Sequence, residues 1–245
     1  MQVEKSPARA EDFFLKAHCK VQYQEVIGEA LRDEKSIFFF WVLTMLHLPN
    51  YFNAAQQQKL LEIARNIAQV NGGMTTPTMP NGARYNCSQT SCGLVGWLSD
   101  RNGYRYSRIN PENNKPFAEM PTELIDIAQK LALLVDEPHY QPETCLINFY
   151  PANGKSKLGL HQDNTERNLK PCIISISLGD DCIFSIGSNR SRKDPTTDLI
   201  LRSGDALILH GDSRLAYHAI KKILPETSRL LKNQGRLNLT FRQIY

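Results

Sequence analysis

From Cys145 to its end the chain is a succession of short strand-like runs: CLINFY, LGLHQ, CIISISL, CIFSI, DLILR, ALIL, YHAI and RLNLTFRQI. Turn-forming clusters such as PANGK, NRSRKDP and RSGD separate them. About eight short strands with this punctuation predict a sandwich, barrel or jelly roll. Two helical segments come before. Residues 50–70 place Leu60, Ile63, Ala64 and Ile67 at helical spacing behind Asn53 as an N-cap, and residues 122–135 form a second helix with Thr122 as its cap. These helices are expected to cover one sheet, giving a mainly β fold with flanking helices.

The last run carries a second signal. In GRLNLTFRQI, Leu237, Leu239 and Phe241 alternate with Arg236, Asn238, Thr240 and Arg242, and side chains on a strand point to opposite faces with period two. One face is apolar; the other holds two guanidiniums and an amide, a set suited to an anion or to solvent at a sheet edge. Arg236 and Arg242 are six residues apart, about 20 Å along an extended strand. Long arginines leaning toward one another span the two ends of a short dicarboxylate, which guanidinium forks match.

Composition narrows the class. A chain of 245 residues, 41% hydrophobic and 22% charged, is expected to form one domain with a substantial core. Its net charge of +4 is a mild bias toward a polyanionic partner. Six cysteines with no CxxC pair signal neither a zinc ribbon nor a disulfide framework, so reduced intracellular thiols are expected. The opening MQVEKSPARAED shows no basic start and apolar run of an export signal, so a cytoplasmic protein is expected. The apolar run IFFFWVLTMLHL, residues 37–48, is too short to cross a bilayer and is read as a buried strand, so no membrane association is expected. Residues 1–40 form an N-terminal extension of unassigned role, and residues 41–245 the main domain.

Residues 71–121 change character: Gly, Pro, Asn, Ser and Thr dominate, with Trp97, Tyr104 and Tyr106 among Arg84, Arg101, Arg105 and Arg108. Such a segment consists of turns and short strands.

The candidate chemistry lies in LGLHQDN. His161 and Asp163, two apart, share a strand face, and His218 follows in SRLAYHAI. Two histidines and a carboxylate are the facial triad of non-haem Fe(II) oxygenases, which leaves coordination positions for co-substrate and oxygen. An HxD pair is also a common hydrogen-bonded pair at a strand end. Asn148 and Tyr150 in LINFY share a face by the same rule, either as donors to an oxygen-rich ligand or as a sheet-stabilising pair.

The order N-x-Y, H-x-D, a distant His, then R-x-N-x-x-x-R resembles the AlkB family of Fe(II)- and 2-oxoglutarate-dependent dioxygenases, as do CLINFYPANGKSKLGLHQD, SISLGDDCIFSIG and GDSRLAYH. The resemblance covers roughly residues 41–245 and implies a double-stranded β-helix core. It implies Fe(II) held by His161, Asp163 and His218, and 2-oxoglutarate held by Asn148, Tyr150, Arg236, Asn238 and Arg242, with O2 as the second co-substrate. CGLVGWLSDRNGYRYSRINPENNKPF, in residues 71–121, is similar to the family's nucleotide-recognition lid. There Trp97 would stack on the target base, and Tyr104 and Tyr106 would meet the flanking backbone. Arg192 matches a lid arginine that contacts substrate. Thr165 stands where bacterial members carry an acidic residue near the base's exocyclic amine.

The activity so implied is oxidative demethylation of 1-methyladenine- and 3-methylcytosine-type lesions in single-stranded or locally opened DNA or RNA, releasing formaldehyde, succinate and CO2, by a monomer. Two other readings fit the same residues: a 2-oxoglutarate-dependent hydroxylase of a protein or lipid, and an inactive nucleic-acid-binding module.

Overall fold

The computed structural model describes residues 45–245. The N-terminal extension, and the part of the apolar run before Met45, lie outside the described residues. Strand β1 (Met45–Leu48) and helix α1 (Ala54–Val70) come first. Then follow β2 (Ser88–Gly93), β3 (Gly96–Asp100), β4 (Gly103–Ser107), β5 (Ile109–Asn110), β6 (Lys115–Pro116) and helix α2 (Thr122–Leu133). The predicted runs are all strands: β7 (Thr144–Tyr150), β8 (Leu158–His161), β9 (Ile173–Gly179), β10 (Asp181–Ile186), β11 (Thr197–Leu201), β12 (Ala206–Leu209), β13 (His218–Leu224) and β14 (Arg236–Arg242).

These runs divide between two antiparallel sheets, the larger ordered β1-β12-β9-β14-β7-β2 and the smaller β11-β10-β13-β8. That division is the double-stranded β-helix the sequence implied. Strand β14 lies between β9 and β7, and all of its residues are buried. Its apolar row is matched across the sheet: Leu237 opposes Leu178 and Phe149, Leu239 opposes Ile176 and Ile147, and Phe241 opposes Ile174 and Cys145. These side chains point away from the space between the sheets, where α2 packs against β9. The polar row, Arg236 to Arg242, points between the sheets. A one-residue slip would exchange the faces and drive both arginines into the apolar layer, so the register is strongly specified.

Between the sheets, Ile173, Leu207 and Leu209 of the large sheet meet Cys182, Phe184, Leu201, Ile220 and Ile223 of the small one. Each such fully buried side chain contributes about 1.5–3 kcal/mol. The described cysteines, Cys87, Cys92, Cys145, Cys172 and Cys182, are free and buried, which agrees with the absence of a disulfide framework.

Several local expectations need adjusting. Asn53 caps α1 as expected, in a reciprocal capping box with Gln56. Thr122 does not cap α2: Pro121 occupies the cap position, so Thr122 is already inside the helix and no side chain caps it. The described end of the apolar run, β1, is an edge strand in which only Leu48 is buried. The segment 71–121 is divided: β2 joins the large sheet beside β7, whereas β3 and β4 make a separate hairpin.

Gly235 sets up β14. Its φ of +104° favours glycine. Its N–H donates to Asp180 Oδ2 and its carbonyl accepts from the Asp180 N–H, both at 2.7 Å. A Cβ here would lie 2.6 Å from the Tyr150 carbonyl oxygen. Gly235→Ala is therefore expected to lower the unfolding free energy by about 1–3 kcal/mol, measured by urea denaturation.

Candidate active site

Strands β8 and β13 pair with His161 directly opposite His218. Their rings lie 4.4 Å apart, with Phe184 stacked on His218. Asp163 sits just beyond the end of β8, not on the strand itself, and faces both rings: His161 Nε2 is 3.7 Å from Oδ1 and His218 Nε2 is 3.9 Å from Oδ2. One donor atom from each residue falls within 4.8 Å of the others, so the three can hold one metal ion.

The tautomers suit that use. His161 Nδ1 lies 2.8 Å from the Gly159 carbonyl and His218 Nδ1 2.9 Å from the Ala216 carbonyl. A carbonyl oxygen only accepts, so each Nδ1 carries a hydrogen and each Nε2 is the nitrogen turned toward Asp163. Burial, reinforced by His161, pushes the His218 pKa down to about 4, which keeps its ring neutral near pH 7. Burial alone would raise the Asp163 carboxyl, but Arg242, with help from His218 and His161, outweighs it and holds the group well below the usual carboxylate range. Neutral imidazoles and an ionised carboxylate are the states that bind a divalent cation.

Behind Asp163 lies a buried charge cluster. Arg242 donates to Asp163 Oδ2 at 2.7 Å and to the Tyr106 hydroxyl at 3.0 Å, and its Nε faces Glu166 Oε1 at 3.4 Å. The Tyr106 hydroxyl in turn donates to the same Glu166 oxygen at 2.7 Å. Arg214 closes the cluster, with Nη2 3.4 Å from Glu166 Oε2 and with bonds from Nη1 to the Asp163 carbonyl and from Nε to that of Pro171. Two carboxylates and two guanidiniums thus offset one another where a single unpaired charge would cost several kcal/mol.

This cluster alters two expectations. Arg242 does not stand as a free mirror image of Arg236, because Asp163, Tyr106 and Glu166 already hold it. Tyr106, expected beside Tyr104 on a nucleotide backbone, instead spends its hydroxyl on Glu166 and Arg242.

Arg236 is different. It is 1% exposed, and only its Nη2 has a partner, the Ser177 hydroxyl at 3.0 Å. Its Nε and Nη1 are buried without one. The guanidinium lies 5.6 Å over the Tyr150 ring and lines a cavity of about 400 Å³ that it shares with Asn148, Asn238, Thr240 and the His161, Asp163 and His218 group. Asn238 is fixed by donating to Ser175 Oγ at 2.8 Å and the Ile176 carbonyl at 3.0 Å, and it accepts from Thr240 at 2.9 Å. A buried cation with two free N–H groups is a built receptor for an anion.

The β3–β4 hairpin forms the other wall. Trp97 and Tyr104 stack at 5.8 Å, and Tyr85 meets Trp97 edge-on at 6.5 Å. Trp97 and Tyr104 line the cavity, as do Thr165 and Arg192; Tyr104 is 49% exposed.

Tyr85, Glu166 and Arg214 were not among the expected site residues. Arg214 falls inside the quoted GDSRLAYH, four residues before His218, and Glu166 lies three residues after Asp163, but a buried acid and base had no pattern to pair them. Glu166→Ala is expected to cost about 3–5 kcal/mol of stability, the typical effect of breaking a buried ion pair, read from urea denaturation at neutral pH.

Comparison with known proteins accords with this geometry. Residues 44–242 match the 2OG-Fe(II) oxygenase superfamily. The alpha-ketoglutarate-dependent dioxygenase AlkB of Escherichia coli K12 is 40% identical over 192 residues, 78% of this chain and 86% of that protein. The DNA N(6)-methyladenine demethylase ALKBH1C of Arabidopsis thaliana is 30% identical over 225 residues, covering 81% of this chain and 48% of its own length. The solved structure of OsALKBH1 superposes with a TM-score of 0.70 at 28% identity, over 82% of this chain and 98% of that one. With an AlkB relative at this identity and the superfamily match over residues 44–242, the chain belongs to the AlkB family of the 2OG-Fe(II) oxygenase superfamily.

Proposed function

We propose that the protein is an Fe(II)- and 2-oxoglutarate-dependent dioxygenase that demethylates N-alkylated bases, of the 1-methyladenine and 3-methylcytosine type, in single-stranded or locally opened DNA or RNA. The observation that carries this is Arg236: a guanidinium with two unpartnered N–H groups shares one cavity with a group able to hold a metal. A metal centre and a separate anion receptor in one pocket suit a co-substrate that is both chelator and carboxylate.

In this reading His161, Asp163 and His218 hold the iron. Arg236 holds the carboxylate of 2-oxoglutarate remote from the metal. Asn148, Tyr150 and Asn238 line its flank, and Arg242 serves the metal end by orienting Asp163. When bound, iron with 2-oxoglutarate and O2 supplies the oxidation, yielding succinate and CO2 and hydroxylating the N-methyl group, whose adduct leaves as formaldehyde.

The chain's own residues present the base. Trp97 and Tyr104 offer stacking surfaces worth about 1–3 kcal/mol per base, and the target nucleotide must leave its duplex to reach them. Arg192 at the rim suits a phosphate. Thr165, which lines the same cavity, supplies no charge to a cationic base. The relatives named as AlkB and as a DNA demethylase support a nucleic-acid substrate.

The test incubates protein, Fe(II), ascorbate and 2-oxoglutarate with methylated single-stranded DNA and RNA oligonucleotides and scores demethylated base by mass spectrometry. Product is expected from wild type and none from His161→Ala or Asp163→Ala. Arg236→Met is expected to raise the 2-oxoglutarate KM roughly 10- to 150-fold, the loss of about 1.5–3 kcal/mol of charged hydrogen bonding. Trp97→Ala with Tyr104→Ala should abolish base repair while sparing uncoupled succinate formation. A protein or lipid hydroxylase would leave oligonucleotides untouched, and an inert module would release no succinate.

A further inference from the structure

Gln89 lines the same cavity as the aromatic wall, and its side chain bonds to neither the charge cluster nor Arg236. It stands on β2 and is 7% exposed. Its backbone is held by reciprocal bonds to Thr75: the Gln89 N–H donates at 2.7 Å and the Gln89 carbonyl accepts at 2.9 Å. In register Gln89 lies directly opposite Asn148 on β7, which lies opposite Asn238 on β14. Directly opposed side chains share a sheet face, so three amides form one row across adjacent strands, and all three line the cavity. Neighbouring strands are about 4.8 Å apart, which places Gln89 roughly 10 Å from Asn238, at the end of the row beside the hairpin. There its Nε2 donates to the Trp97 carbonyl at 3.1 Å.

That bond decides which atom of the amide is left for a ligand. A carbonyl only accepts, so the amide nitrogen must face Trp97, and the polar atom that remains is Oε1, which is an acceptor only. Among the described residues Oε1 has no hydrogen-bond partner. Asp163 is the one acid lining the cavity among the described residues, and Arg242 already holds it. We infer that Gln89 is a specificity-determining residue whose Oε1 accepts from the exocyclic amine of the base stacked against Trp97. The pocket then takes bases that carry an amine beside the methylated nitrogen, as adenine and cytosine do, and rejects those that carry a carbonyl there, as guanine and uracil do. The inference rests on the proposed nucleic-acid substrate and adds the feature of the base that is read. A carbonyl in place of the amine would set two acceptors against each other and leave both desolvated without a donor, the situation in which a polar site discriminates strongly. A base methylated on the ring nitrogen beside its amine is a cation, and a charged donor strengthens the bond to Oε1.

The test gives the full chain, with Fe(II), ascorbate and 2-oxoglutarate, two single-stranded oligonucleotides of one sequence. One carries 3-methylcytosine and the other 3-methyluracil, which differ by an amine against a carbonyl beside the methylated nitrogen. Formaldehyde release yields kcat/KM for each. Wild type is expected to favour 3-methylcytosine by about 10- to 150-fold, the usual contribution of a hydrogen bond to a charged group, and Gln89→Met, which keeps length and removes the acceptor, to bring the ratio within about threefold of unity. Gln89→Asn, which keeps an amide but draws it back by one methylene, should lower the ratio in the same direction and serves if Met is not tolerated. A role confined to holding the Trp97 carbonyl would slow both substrates alike, so a ratio unchanged in either folded variant overturns the inference. Equal repair of the two lesions by wild type overturns it whatever the variants do, and leaves the nucleic-acid reading standing. Formaldehyde from neither oligonucleotide, with succinate still formed, sinks that reading and this inference together.

Discussion

The burial of Arg242 with Asp163 and Glu166 is the interaction on which the rest of the site depends. Strand β14 runs through the middle of the large sheet, where a charge taken out of water would cost several kcal/mol without a partner. The chain satisfies Arg242 with the two acids of HQDNTER, then adds Arg214 to balance the second acid. That solution fixes more than stability. Asp163 lies past the end of β8, where no sheet ladder holds it, so its direction is set by Arg242 on its side chain and Arg214 on its carbonyl. The same ions that make β14 tolerable in the interior therefore aim a carboxylate at the two histidines.

The histidines are aimed by a different device. Each uses Nδ1 on a carbonyl of its own strand segment two residues back, Gly159 for His161 and Ala216 for His218, and β8–β13 pairing brings the rings together. Backbone acceptors cannot change protonation state, so the tautomer is set independently of pH. Such partners around ligands commonly matter 10- to 100-fold in metal affinity. The group is thus assembled by one strand pair and one ion cluster, each stable for reasons unconnected with metal.

Much of this was legible in the residues, and the reasons show why the remainder was not. Period-two alternation and turn clusters exposed the strands of the core because a half-polar strand can satisfy both faces in few ways. It also exposed the polar row of β14, since Arg236 and Asn238 among Leu237 and Leu239 require an interior with a use for them. The family resemblance grouped His161, Asp163 and His218, whose donor atoms lie within 4.8 Å of one another. Glu166 and Arg214 stayed hidden because their pairing is a property of three dimensions: nearly 50 residues of β-rich chain separate them, and neither sits in a periodic pattern that points inward. Tyr106 was misplaced for a related reason. Alternation puts it opposite in facing to its neighbour Arg105 and level with Tyr104, but the twist of a two-stranded ribbon lets one tyrosine reach solvent while the other reaches the core.

The two ends of β14 differ in a way that gives the cavity polarity. At Arg242 the protein supplies its own counter-charges, Asp163 and Glu166, and leaves one buried nitrogen, Nε, without a hydrogen bond. At Arg236 it supplies one hydroxyl, from Ser177, and leaves two N–H groups buried without a partner. Leaving them so costs about 1–3 kcal/mol per group, a cost that an anion arriving from solvent removes. A ligand bearing one carboxylate and a separate chelating end is therefore driven to orient with its carboxylate at Arg236. Its chelating end would then lie beside Asp163, whose charge Arg242 already tempers. Moving a neutralising acid from the Arg242 end to the Arg236 end would preserve the net charge of the cavity and erase that directionality, so the arrangement of the acids along one strand, more than their number, determines what the pocket can orient.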